Sequence, residues 1–232
     1  MNMFEEFVNY PSYIIGTVIG TIVIFYLLYL WVEKRFGKKN KKRKRFFQMK
    51  SYEVTAFAAL AAISAVLQIV HLGWLSPWGM WIDLVAVSWM TAYFLYGGRA
   101  AFIVSLVGAI IITLVAPSTW LGAGMKWLAT LPMWLVPLAM QKTLGKKMKD
   151  FRKPALLVAA VAIAILLRCM IVIPVNYYFA IPVWTGMTTA QAIEAVPWWA
   201  IFALNAVQGA VEVALAWLLV FRFRLDRFAA WQ

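Results

Sequence analysis

Hydrophobic residues fall along this chain in long blocks, with polar residues gathered between them. The blocks cover residues 12–32, 54–72, 82–96, 101–116, 125–140, 155–175 and 198–221. A helix of about 20 apolar residues crosses the ~30 Å hydrocarbon layer of a bilayer. Each block is near that length, and the shorter ones reach it with their flanks. The pattern predicts an all-α, polytopic membrane helix bundle with a span in every block. The first block has no basic stretch before it and no small-residue cleavage site after it, so it reads as a retained helix rather than a signal peptide.

Polar groups interrupt the last two blocks in a regular way. In "WAIFALNAVQGAVEVALAWLL", Asn205, Gln208 and Glu212 are three and four residues apart. That spacing puts them on one helix face. Lipid penalises polar groups, so the face is expected to point into the bundle. At 1.5 Å per residue, Asn205 lies about 10 Å inside the outer boundary. Asn176 stands at the outer end of the preceding block, so two amides are expected to converge in the outer half. An amide both donates and accepts, which suits hydroxyls and heterocyclic edges. Arg168 lies about 20 Å deep in the sixth block by the same rise. A guanidinium at that depth requires a partner. Glu212, about one helical turn away in depth, is the expected one, in a structural ion pair.

Composition agrees with the pattern. Of 232 residues, 64% are hydrophobic and 13% charged, where soluble domains are about half apolar. Mean hydropathy is +0.79. The net charge of +13 is unevenly placed. Residues 34–50, "KRFGKKNKKRKRFFQMK", hold ten Lys and Arg, and residues 142–153 hold six. Arg99, Arg222, Arg224 and Arg227 fall on the same side if all the blocks span, and Lys126 alone falls on the other. The basic side is then cytoplasmic. This puts the N-terminus, with Glu5 and Glu6, outside and the C-terminus inside. Basic clusters beside spans lie on anionic lipid, so nucleic acid is not the expected partner. Residues 1–50 read as a span and basic linker, and residues 51–232 as a six-span membrane domain.

Catalysis by the chain alone finds no support in its motifs. It has no G-x-x-x-x-G-K-[ST], no H-E-x-x-H and no G-x-S-x-G. The lone Cys169 excludes an internal disulfide and reads as a packed side chain. The single histidine, His71, reads as interfacial. No catalytic or metal-binding residue is expected.

The outer loops are aromatic. "HLGWLSPWGMWID" includes Trp78, "PSTWLGAGMKW" includes Lys126, and "PVNYYFAIPVWTGMTTAQAIEAVPWW" includes Tyr177 and Trp184. Such residues form interfacial belts. Gathered over one bundle mouth, they also suit a flat, partly apolar ligand. In the second block, "TAFAALAAISAVL" sets Ala58, Ala62 and Ala65 on a small-residue ridge, as it does Ala61 and Ala65. Such ridges let helices approach closely, either within the bundle or against another subunit.

In this order, the features resemble the substrate-binding S component of energy-coupling factor (ECF) vitamin transporters, over residues 51–227. The alanine-rich helix is similar to the family's A-x-x-x-A surface for the transmembrane T subunit, with Ala58 and Ala62 the best-matching pair. "PVNYYFAIPVW" and "FALNAVQGAV" are similar to segments of the riboflavin-binding type. The resemblance implies six helices, here with one added N-terminal span, and ligand contacts by Asn176 and Asn205. Gln208 stands where riboflavin binders carry Lys, and Asp83 where an acidic residue fixes the outer loop. The aromatic residues Tyr177, Trp78 and Trp184, with Lys126, complete the expected site. No cofactor is implied: riboflavin would be the transported ligand, with a different vitamin as the alternative. The implied partners are a T subunit and two cytoplasmic ATPases in the plasma membrane of a prokaryote. Two other readings are an intramembrane enzyme using Arg168, Glu212 or Asp83, and an assembly subunit with no ligand.

Overall fold

The computed structural model describes residues 49–115 and 120–231, together with Val23 and Leu27. The rest of the first apolar block, Glu5 and Glu6, most of the basic run at 34–50 and residues 116–119 lie outside the described residues.

The fold is a helix bundle with one small hairpin. Helix α1 is Ser51–Val70, followed by strands β1 (Gly73–Leu75) and β2 (Trp81–Asp83). Then come α2 (Val85–Tyr96), α3 (Gly98–Val115) and α4 (Trp120–Thr143). Helix α5 (Pro154–Val175) continues through a π-helical turn, Asn176–Ala180, into a last α turn, Ile181–Thr185. A short α6 (Thr189–Ala195) leads to α7 (Trp198–Trp217), which ends in a second π turn, Leu218–Arg222.

Among the described residues, three helices are long and apolar enough to cross a membrane: Ser51–Val70, Pro154–Thr185 and Trp198–Arg222. Val85–Tyr96 and Gly98–Leu114 are shorter apolar helices. Helix α2 sits at the centre. Every residue from Val85 to Leu95 is buried, as expected of a helix that is hydrophobic all round. It packs on α1, α3, α4 and α7, while α1, α3, α4, α5 and α7 follow one another around it, with α1 against α3, α3 against α4, α4 against α5 and α5 against α7. Trp89, Tyr93, Phe94 and Trp134 fill this centre.

Two expectations need correction. The stretch after residue 116 was expected to be a loop as far as Trp127, but α4 already begins at Trp120. Gly122 and Gly124 weaken the helical pattern there, yet burial of Leu121, Ala123 and Trp127 holds the turn in the bundle. Residues 176–185 were also expected in a loop, and they continue α5. Pro182 has no N–H to give the carbonyl four residues back, and its ring would clash with it. The wider π turn just before it accommodates the change: the Ile181 N–H bonds to the Asn176 carbonyl. The bundle is helical as expected and carries one short hairpin among the described residues. The hairpin pairs Gly73 with Asp83, Trp74 with Ile82 and Leu75 with Trp81. Gly73 is required there, because a Cβ would lie 2.1 Å from the Ile82 carbonyl oxygen.

Candidate functional site

A chain of polar contacts runs through the bundle from α5 to α4. Arg168, on α5, is buried. Its Nε donates to Asn205 Oδ1 at 3.1 Å and its Nη1 to Glu212 Oε2 at 3.2 Å. Glu212, fully buried on α7, accepts from Gln208 Nε2 at 2.5 Å through its other oxygen. Gln208 also holds the end of the hairpin. Its Nε2 donates to the Asp83 carbonyl at 2.9 Å, and its Oε1 accepts from the Asp83 N–H at 3.3 Å. The Asp83 carboxylate accepts from the Val85 N–H at 2.9 Å, at the start of α2, and pairs with Lys126 Nζ on α4 at 2.5 Å.

Sequence spacing explains this assembly. Asn205, Gln208 and Glu212 recur at helical intervals and share the inward face of α7. Gly209 on the same helix makes room: a Cβ there would stand 3.3 Å from Arg168 Nη1 and 3.1 Å from the Met133 terminal methyl. Buried charges persist in low dielectric only when paired and hydrogen-bonded. Here the guanidinium meets a carboxylate and an amide, and both oxygens of Glu212 are engaged.

Each singled-out residue has a definite place. Asn205 joins the network and also donates from Nδ2 to the Ile201 carbonyl at 2.9 Å. Asn176 is partly buried on the π turn and donates to the Val172 carbonyl at 2.8 Å. Among the described residues its side chain bonds its own helix and not Asn205, so hydrogen bonding does not join the two amides. Tyr177 is buried, and its hydroxyl donates to the Val196 carbonyl at 2.6 Å, fastening α5 to the turn before α7. Trp78 packs edge-on against Trp199 with centroids 5.5 Å apart. Trp184 is exposed. Lys126, expected among ligand contacts, is engaged with Asp83.

The alanine ridge divides. Ala58 and Ala62 are exposed on α1, whereas Ala61 and Ala65 are buried in the bundle. Cys169 is buried, with Sγ 3.7 Å from the Phe202 carbonyl oxygen. His71 is exposed and ends α1 in a left-handed conformation, φ 53°. Among the described residues, no group of three or more His, Cys, Asp or Glu is arranged to hold a metal ion.

Sequence reasoning missed the link between Lys126 and Asp83. Both residues had been marked, but the pair joins a strand end to a helix 43 positions later, and no local spacing encodes that.

No family model matches the sequence, and no curated protein does. Among solved structures, the fold is similar to the S component of a bacterial ECF transporter. The TM-score is 0.59 at 22% identity, covering 75% of this chain and 96% of that one. The likeness is one of fold.

Proposed function

We propose that this chain is the substrate-capturing membrane subunit of an ECF-type importer, taking up a vitamin at the outer face, most specifically riboflavin or a related flavin. The observation that carries the reading is its S-component-like fold, with a buried polar network at the core of the same bundle. A T subunit and two cytoplasmic ATPases would supply the energy. In this reading the described bundle is the six-span core and residues 12–32 add a seventh span. The N-terminus faces outward, and the basic loops and C-terminus face the cytoplasm of a prokaryote.

Asn176, Asn205, Tyr177, Trp78 and Trp184 are proposed to meet the ligand. The aromatic residues offer stacking surfaces, and the amides offer donors and acceptors for a ring edge or hydroxyls. Gln208 and Lys126 belong to the same proposed site. Both are engaged with Asp83, so they act through the hairpin or exchange that partner for the ligand. Ala58 and Ala62 are the proposed contact with the T subunit.

The experiment is purification of the full chain followed by an absorption scan and mass spectrometry of released ligand. Flavin bands are expected, and a colourless protein that binds no flavin on titration overturns the flavin assignment. Asn205→Ala is expected to weaken binding about 5- to 150-fold, the equivalent of a lost buried hydrogen bond. Because Asn205 also accepts from Arg168, its unfolding midpoint is measured alongside. Unchanged affinity removes Asn205 from the site.

A further inference from the structure

A cavity of about 490 Å³ opens at the basic end of the bundle, away from the polar network. Lys146, Lys147 and Lys149 line it, together with Gln141, Tyr96 and Trp231. Its walls are fixed by bonds that the network does not use. Trp231 Nε1 donates to the Phe94 carbonyl at 2.8 Å, and the Ala230 N–H donates to the Leu95 carbonyl at 3.0 Å. The C-terminal segment is thus stitched to the last turn of α2. On the opposite side Gln141 Nε2 lies 3.4 Å from Met148 Sδ. Gly145, at φ +64°, turns the chain after α4 so that three lysines follow on one short loop.

None of the three ammonium groups has an ion-pair partner among the described residues. The nearby carboxylates are committed elsewhere. Asp226 pairs with Arg152 and Arg224, and Asp150 accepts the Lys147 backbone N–H at 2.7 Å. The cavity is thus lined by three ammonium groups, with the Asp150 carboxylate of the same segment tied to the Lys147 backbone. Beside that charge stand two rings of the interfacial type, Tyr96 and Trp231. Cations next to apolar surface at the ends of α2 and α4 match an amphiphile whose head is anionic.

We infer that this cavity binds the phosphodiester headgroup of an anionic phospholipid, with Lys146, Lys147 and Lys149 around the phosphate and Tyr96 and Trp231 along the start of the chains. Free phosphate shares the anionic chemistry but makes no use of the apolar rim.

Native mass spectrometry of the full chain in detergent, titrated with phosphatidylglycerol or phosphatidylcholine, tests the site. One phosphatidylglycerol is expected to be held in preference to phosphatidylcholine. Each juxtamembrane cation contributes about fivefold, so K146Q/K147Q/K149Q is expected to weaken that binding on the order of 100-fold. Trp231→Ala leaves the charge intact but opens a wall, and it is expected to weaken binding about tenfold. R222Q/R227Q removes cations outside the cavity and is expected to change it little. If the triple variant does not fold, Lys147→Gln alone is read, with about fivefold weakening expected. The inference is overturned if the two lipids bind alike, if the lysine variants bind as the parent does, or if R222Q/R227Q weakens binding as much as the triple change. Displacement of the lipid by micromolar inorganic phosphate overturns the lipid assignment in favour of a soluble anion.

Discussion

At the scale of single residues, Arg168 governs the interior. It is buried and depends on Glu212 and Asn205 for its hydrogen bonds. Removing one partner of such a pair costs about 3–5 kcal/mol, because the other charge is left uncompensated. Glu212→Gln is therefore expected to lower the unfolding midpoint of the purified protein sharply. Arg168→Met should do the same. The double variant should recover part of the loss, since no unpaired charge remains in it. Thermal unfolding of the four proteins in detergent checks this. Additive losses would show that the two charges are stabilised independently. The same residues were the most legible part of the sequence. An arginine and a glutamate in adjacent apolar blocks, about one helical turn apart in depth, leave few alternatives, because lipid supplies neither with a partner. The commitment of Lys126 to Asp83 was not legible, because its information lies in tertiary folding.

At the scale of elements, the hairpin matters because its end is fastened twice. Gln208 holds the Asp83 backbone and Lys126 holds the Asp83 side chain. The first strand is open, with Gly73, Trp74 and Leu75 all exposed, while Trp81 and Ile82 are partly buried and Trp78 in the turn packs on Trp199. A two-stranded ribbon is at best marginally stable alone, so these anchors set how firmly it lies on the bundle. Lys126→Met is expected to weaken the anchorage by about 2 kcal/mol, or roughly 30-fold in amide protection across residues 73–83. Hydrogen exchange followed by mass spectrometry measures it, and unchanged protection would assign the anchoring to Gln208 and the Trp78–Trp199 contact. Apolar runs announced α1, α3, α5 and α7 because they are long. Helix α2 starts at Val85, later than its apolar block, because Ile82 and Asp83 are drawn into the ribbon. The outer extension of α5 was hidden by Pro174 and Pro182, which read locally as breakers. The π turn between them is a backbone adjustment that propensity does not reveal.

At the scale of the whole molecule, α1 has an apolar face left exposed among the described residues, as α5 does at Val158, Ile163, Leu166 and Met170. Ala58 and Ala62 are exposed on α1, with Val54, Ile63, Val66, Ile69 and Val70 exposed along the same helix. Ala61 and Ala65 instead pack inward, so the sequence's ridge serves two surfaces. Within a bilayer, apolar exposure alone does not drive association, because lipid is equally apolar. Close approach does, and small side chains permit it. If this face meets the T subunit, A58W/A62W blocks the approach without touching Asn205, Gln208 or Arg168. Loss of 1–2 kcal/mol of packing corresponds to about five- to thirtyfold less complex. Co-purification with a T subunit and its ATPases measures that loss, while titration with flavin is expected to give the parent affinity. A normal yield of complex would move the docking surface elsewhere on the bundle. Weakened flavin binding would instead show that α1 supports the ligand site itself, through its packing on α2 and α3.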